Sequence, residues 1–215
     1  MNPLRRTLVA ALGLAPLAGF AQARRPAADM DYSELKSRQA VETNGKIEVI
    51  EFFWYGCGAC YTLEPLLEKW VPKLPADAQY RRIPAVFNDA KWARDAGIFY
   101  AFEALGITAK VHRPFFDAIH RDRLRTDDSQ ALAEWLQRNN VDPKKFDAIR
   151  KSFGVQSKLR RAAQLSVAYG IAGTPTLAVH GRYTISVEQA GSWERMLAIA
   201  DYLIGVARKG GQASG

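Results

Sequence analysis

Residues 47–60 read Ile47-Glu48-Val49-Ile50-Glu51-Phe52-Phe53-Trp54-Tyr55-Gly56-Cys57-Gly58-Ala59-Cys60. Ile, Val, Phe and Trp crowd the nine residues from Ile47 to Tyr55 and Gly56 breaks the run, the composition of a strand covered on both faces. After the second cysteine, Leu63, Leu66, Leu67 and Trp70 recur at helical spacing until Pro72 and Pro75 end them. The stretch predicts strand, tight turn and helix, with two thiols three residues apart where turn becomes helix. On a first helical turn both sulfurs lie on one face and can be bridged. Cys57 sits where unpaired backbone N–H groups and the positive end of the helix dipole favour an anion. The nucleophilic thiolate is thereby stabilised, and the expected Cys57 pKa lies below about 6.5, against about 8.5 for a free thiol.

Other uses of such a pair leave marks in the surrounding residues. Haem attachment needs histidine directly after the second cysteine, where this chain has Tyr61. A closed zinc site needs two more ligands, and His112, His120 and His180 are dispersed without ligand spacing. A purely structural bridge would close a very small loop and restrain the unfolded chain little. Redox exchange is the reading the neighbours favour, with soft-metal carriage and an inert bridge as the alternatives.

Outward from this core, Gln79 to Val86 reads as a second strand, interrupted by Pro84. Residues 89–169 turn helical. One segment runs from Asp89 to Leu105 and stops at Gly106, another is expected to start at Pro114, and a third follows Asp127-Asp128-Ser129. A fourth begins at Asp142-Pro143 and a fifth covers Gln156 to Tyr169. Thr176 to His180 and Tyr183 to Val187 then form a hairpin about Gly181-Arg182, and Ser192 caps a last helix to Val206, leaving 207–215 as a loose tail. Asp31 to Gln39 reads as a first helical turn.

The chain has 215 residues, 48% of them hydrophobic and 24% charged, which excludes a disordered or collagen-like polymer and suffices for one domain with a large insertion. Two cysteines are too few for a disulfide-stapled scaffold. Residues 1–23 read as an export signal: Arg5-Arg6, an apolar stretch from Thr7 to Phe20 too short to span a bilayer, and a small-residue cut after Ala23. Arg5-Arg6 suits an ordinary basic start or a twin-arginine address, and both lead out of the cytoplasm. Loss of this leader removes two arginines and no acids, lowering the net charge from +8 to +6. The remaining basic residues, such as Arg81-Arg82, Lys144-Lys145 and Arg160-Arg161, are scattered among acids rather than aligned along a stripe, so no nucleic-acid partner is expected.

Gly173-Thr174-Pro175-Thr176 precedes the hairpin, and Pro65 lies in the helix that follows the cysteines. Together with Glu51 to Tyr61, these residues make the chain resemble thioredoxin-fold proteins, and among them the periplasmic dithiol oxidases of the DsbA type. The resemblance covers Asp31 to Leu203 and implies an α/β thioredoxin fold with an inserted all-helical domain. Residues 31–87 and 170–206 would form the thioredoxin-like part and 88–169 the insertion. It implies a catalytic set of Cys57, Cys60 and Pro175, supported by Gly58, Ala59, Thr174, Glu51, Glu64 and Arg82, with no metal and no cofactor. Thr174-Pro175 would be a cis peptide whose backbone pairs with an extended client. Glu51, Glu64 and Arg82 match acidic and basic groups beneath the pair. Glu51 reads as a proton handler for Cys60 or a solvent-facing strand residue, and Glu64 and Arg82 as members of the same group or ordinary surface residues. Ala59 stands where the family often has histidine, and Thr174 where valine is frequent. The implied partners are reduced exported proteins and a membrane re-oxidase of the DsbB type, with the chain a periplasmic monomer lacking a dimerisation module. A reductase or isomerase, or a copper(I) carrier, would use the same two cysteines.

Overall fold

The computed structural model describes residues 24–212; the expected leader and its cut after Ala23 lie outside the described residues. The elements are β1 (Ser33–Glu34), β2 (Ile47–Phe53), α1 (Gly58–Trp70), β3 (Ala78–Pro84), α2 (Ala90–Ala104), α3 (Thr108–His120), α4 (Ser129–Arg138), α5 (Pro143–Arg150), α6 (Phe153–Ala168), β4 (Thr176–Val179), β5 (Tyr183–Ser186), α7 (Val187–Ala190) and α8 (Trp193–Gln212). The sheet runs β1-β5-β4-β2-β3. Among the strand pairs of the described residues only β2 and β3, joined through α1, are parallel; the remaining pairs are antiparallel. Among the described residues no helix is long and apolar enough to cross a membrane.

Every residue of β2 is buried, its five apolar residues as a strand covered on both faces requires and Glu48 and Glu51 along with them. Alternate side chains serve opposite faces of the sheet. Ile50 and Phe52 join a cluster with Phe99, Phe102, Phe115 and Phe146 from the helical block, whereas Ile47 and Val49 join Leu63 and Leu67 of α1 and Leu203 of α8. The sheet is thus a thioredoxin-type floor with α1 and α8 on one side and the inserted helices on the other. The helix starts are set locally by side-chain caps: Asp89, Asp128 and Asp142 each accept from the first-turn N–H groups of α2, α4 and α5.

Four expectations fail for identifiable reasons. Asp31–Gln39 is not helical. Ser33 and Glu34 pair with Thr184 and Tyr183, and the amides of Leu35 and Gln39 donate to Arg182 and Gly181, so edge pairing with the hairpin outweighs a marginal local turn. Pro114 lies inside α3 rather than opening it. The turn ahead of it buries Val111 and His112, and that packing tolerates the backbone bond the proline removes. The tail is helical as far as Gln212, since α8 continues through residues 207–212.

The hairpin turns one residue early, at His180 and Gly181, whose φ angles of 53° and 66° suit a type I′ turn. A Cβ on Gly181 would stand 2.1 Å from the carbonyl oxygen of Gln39. Gly181→Ala should therefore cost more than about 1 kcal/mol, combining positive φ with a backbone clash. An unchanged denaturation midpoint would refute this.

Candidate active site

β2 delivers the chain to Trp54-Tyr55-Gly56, and Cys57 then caps α1 with its own side chain. Its Sγ accepts from the Cys60 amide at 3.3 Å. Gly56 is needed here because a Cβ would fall 2.3 Å from the Trp54 ring. That indole donates to the buried carboxylate of Asp95 at 2.7 Å. Thr174-Pro175 is a cis peptide, and the Cys57 thiol donates to the Thr174 carbonyl oxygen at 3.1 Å. Residues 117 positions apart in sequence are thus brought together by the antiparallel pairing of β4 with β2, in which Thr176 lies opposite Phe52. A cavity of about 480 Å³ borders this loop, lined by Gly173, Thr174, Pro175, Thr184 and Ser186 among others.

The two free thiols are unequal. Cys57 is half-buried. Hydrogen bonding from the Cys60 thiol is the largest influence lowering its pKa to about 6; burial opposes this, while the Thr174 side chain and the N–H groups of Cys60 and Ala59 add to it. Cys60 is fully buried. Burial first, then its hydrogen bond to Cys57 and the nearby charge of Glu51, push its pKa well above the ordinary thiol range. One sulfur ionises readily and the other holds its proton.

Beneath the thiols, the parallel register sets Glu51 beside Arg82. Glu51 is fully buried rather than solvent-facing. Its Oε2 accepts from the Tyr80 hydroxyl and lies 3.3 Å from Arg82 Nε. Burial pushes its pKa up to about 7 against the pull of Arg82. Glu64, from α1, is also buried and accepts from Arg82 Nη2 at 2.6 Å. Burial works against its charge, but His112 and Arg82 more than offset that and hold its carboxyl below the ordinary range. Neither Glu64 nor Arg82 is therefore an ordinary surface residue. Among the described residues no group of three or more His, Cys, Asp or Glu side chains is arranged to hold a metal ion.

Sequence reasoning weighed His112 and His120 only as metal ligands. Both turn towards the site: His112 pairs with the Tyr55 hydroxyl at 2.9 Å, and His120 with the Tyr55 carbonyl oxygen at 2.8 Å. Their spacing was the available signal. His112, Phe116 and His120 are four residues apart, one face of one helix.

This fold, with its dithiol at a helix N-terminus against a cis-proline, defines a thioredoxin-fold redox protein carrying a helical insertion. Residues 71–197 match the model of the DSBA-like thioredoxin domain. The thiol:disulfide interchange protein DsbA of Pseudomonas aeruginosa is 39% identical over 198 residues, 92% of this chain and 93% of that protein. That of Burkholderia cepacia is 40% identical over 207 residues, 95% and 96% of the two. The crystal structure of Pseudomonas aeruginosa DsbA superposes with a TM-score of 0.82 at 37% identity, covering 87% of this chain and 97% of that one. The oxidoreductase NmDsbA1 of Neisseria meningitidis gives 0.74 at 26%, covering 86% and 95%. The chain belongs to the DsbA-like thioredoxin family, and it is a thiol:disulfide oxidoreductase.

Proposed function

We propose that the chain is an exported dithiol oxidase that introduces disulfide bonds into other exported proteins in the periplasm, after removal of residues 1–23. In the oxidised enzyme a client thiolate attacks Sγ of Cys57. The Cys57–Cys60 bond breaks, a mixed disulfide forms, and Cys60 leaves as a thiolate that takes a proton. A second client thiolate then attacks the client sulfur of the mixed disulfide and releases Cys57 as its stabilised thiolate. The client has lost two electrons and gained a bridge, and the enzyme holds two thiols.

Glu51 supplies the proton to Cys60, since a carboxyl with a pKa of about 7 is partly protonated at neutral pH. Arg82 and Glu64 hold that carboxyl in place. Thr174 and Pro175 present backbone to an extended client segment, and Gly58 and Ala59 keep the approach to Cys57 narrow and free of bulk. Residues 31–87 and 170–206 form the redox unit, with 88–169 inserted. The enzyme works as a monomer, and a membrane partner of the DsbB type re-oxidises it.

The observation that carries this reading is the inequality of the thiols, because stabilising the Cys57 thiolate favours the reduced enzyme and nothing comparable favours the bridge. A reductase or isomerase would use the same residues in the opposite direction, and equilibrium with glutathione separates them. The expected reduction potential lies well above the roughly −270 mV of thioredoxin-type reductants. Its slope should change from about 59 to about 30 mV per pH unit near pH 6, where the reduced pair begins to bind one proton fewer. A potential near that of thioredoxin would assign the chain to reduction instead.

A further inference from the structure

Tyr55 lies in the short irregular segment between β2 and α1, two residues ahead of Cys57, and is 1% exposed. The segment's internal backbone bond runs from the Cys57 amide to the Trp54 carbonyl oxygen, 3.0 Å, and Gly56 gives it conformational freedom. Trp54 is tied to α2 through Asp95, and Tyr55 is held from α3. His112 Nδ1 meets the Tyr55 hydroxyl at 2.9 Å, His120 Nε2 meets the Tyr55 carbonyl oxygen at 2.8 Å, and the Phe116 ring between them packs 5.0 Å from the Tyr55 ring. One helix face therefore grips a single residue at both its ends.

The hydrogen-bond partners assign the tautomers. A carbonyl oxygen only accepts, so the proton of His120 sits on Nε2. The Tyr55 phenol stays protonated, because burial pushes its pKa well above the usual tyrosine value, so it donates to His112 Nδ1. The His112 proton is then on Nε2, the nitrogen 3.5 Å from Glu64 Oε2. Burial keeps that imidazole neutral by lowering its pKa. His120 also stacks on Tyr61, with ring centroids 4.8 Å apart and planes 13° from parallel, and Tyr61 in turn donates to Asp117 at 2.7 Å. Tyr55 and Tyr61 bracket the cysteine pair, and α3 holds both.

We propose that His112 and His120 are positioning residues that clamp Tyr55 from its hydroxyl and carbonyl ends, holding Cys57 in register with the N-terminus of α1. The inserted helices thus take part in setting the thiol chemistry. The inference rests on the reading of Cys57 as the activated thiol. Loss of either grip lets the segment shift, and Sγ loses alignment with the Cys60 amide and the Thr174 side chain, the groups that favour its ionised form.

The test titrates the Cys57 thiolate by its ultraviolet absorbance in the full mature protein and in His120→Leu, His120→Gln and Tyr55→Phe, each checked for folding by circular dichroism. His120→Leu and Tyr55→Phe are expected to raise the Cys57 pKa by about one unit, cutting the thiolate fraction at pH 6 about fivefold. His120→Gln, whose side-chain amide can still donate to the carbonyl, should restore most of the shift. Folded variants with lowered melting temperatures and an unmoved Cys57 titration would overturn the clamp and leave the histidines merely structural. Tyr55→Phe, which removes one oxygen, decides the question if His120→Leu does not fold. A wild-type Cys57 titrating near 9 would remove the underlying reading itself, whereas a wild-type value near 6 with unmoved variants removes only the clamp.

Discussion

Cys57→Ser is expected to abolish disulfide transfer to reduced proteins, leaving only the uncatalysed background. Cys60→Ser should instead accumulate mixed disulfides at Cys57, formed when its thiolate attacks a client disulfide and expels one of that disulfide's sulfurs as a thiolate. A hydroxyl at position 57 cannot form the sulfur–sulfur bond on which exchange depends, and the one remaining cysteine, Cys60, is fully buried and holds its proton, so it offers no alternative path. With Cys60 replaced, Cys57 remains half-buried and activated, but the return attack that clears client adducts is lost. Non-reducing electrophoresis and mass spectrometry of the adducts read both outcomes. Turnover persisting in Cys57→Ser would remove this cysteine from its role.

Arg82→Met is expected to destabilise the protein by about 3–5 kcal/mol at pH 7 and above, the usual cost of stripping the partner from buried charges. Arg82 is the cation shared by Glu51 and Glu64, both buried. Without it the two carboxylates face each other across a poorly solvated site, and Glu51 binds its proton more tightly still. The loss should therefore shrink as pH falls and Glu51 is protonated. Adding Glu51→Gln to Arg82→Met should recover part of the loss, a coupling that a double-mutant cycle in chemical denaturation isolates. A loss below about 1 kcal/mol would mean that water, not Arg82, compensates these carboxylates.

Glu51→Gln on its own carries a pH signature. Glu51 has a folded-state pKa raised from 4.5 to about 7, so its ionisation opposes folding. Stability falls as pH rises between those values, by as much as about 3 kcal/mol in all, and the cost is absent below pH 4.5. The glutamine variant should lack that fall. Parallel profiles for variant and wild type from pH 4 to 8 would show that Glu51 does not titrate in this range.

Much of the site could be read from the chain because its signals are local. The run from Ile47 to Tyr55, the break at Gly56 and the helical spacing of Leu63 and Leu67 gave the strand, turn and helix that carry the cysteines. Thr174-Pro175 was legible only in combination, since proline before a strand says nothing about a thiol far along the chain until the cysteine pair suggests the fold. The state of Glu51 depends on parallel register, which sets Arg82 beside it, and on burial on both faces of β2. Neither quantity is written in the neighbouring residues, so strand solvent exposure stayed an open alternative. His112 and His120 escaped because their partner is Tyr55, on another element and in part through its backbone carbonyl. Where tertiary packing outweighed local preference, as with Pro114 inside α3 and the edge pairing of Ser33 and Glu34, sequence pattern pointed the wrong way.

The difference in unfolding free energy between the reduced and oxidised protein, followed from pH 5 to pH 9, bears on the account directly. A Cys57 thiol whose pKa falls from 9 to about 6 on folding stabilises the reduced form fully above pH 9, progressively less as pH drops, and not at all below pH 6. The oxidised form has no thiol there to ionise. The reduced protein should consequently gain on the oxidised one above pH 6, by up to about 1.4 kcal/mol per pH unit and by less to the extent that solvent screens the half-exposed sulfur. Two curves that stay parallel across this range would contradict the claim that the folded state favours the Cys57 thiolate and so gives its disulfide away.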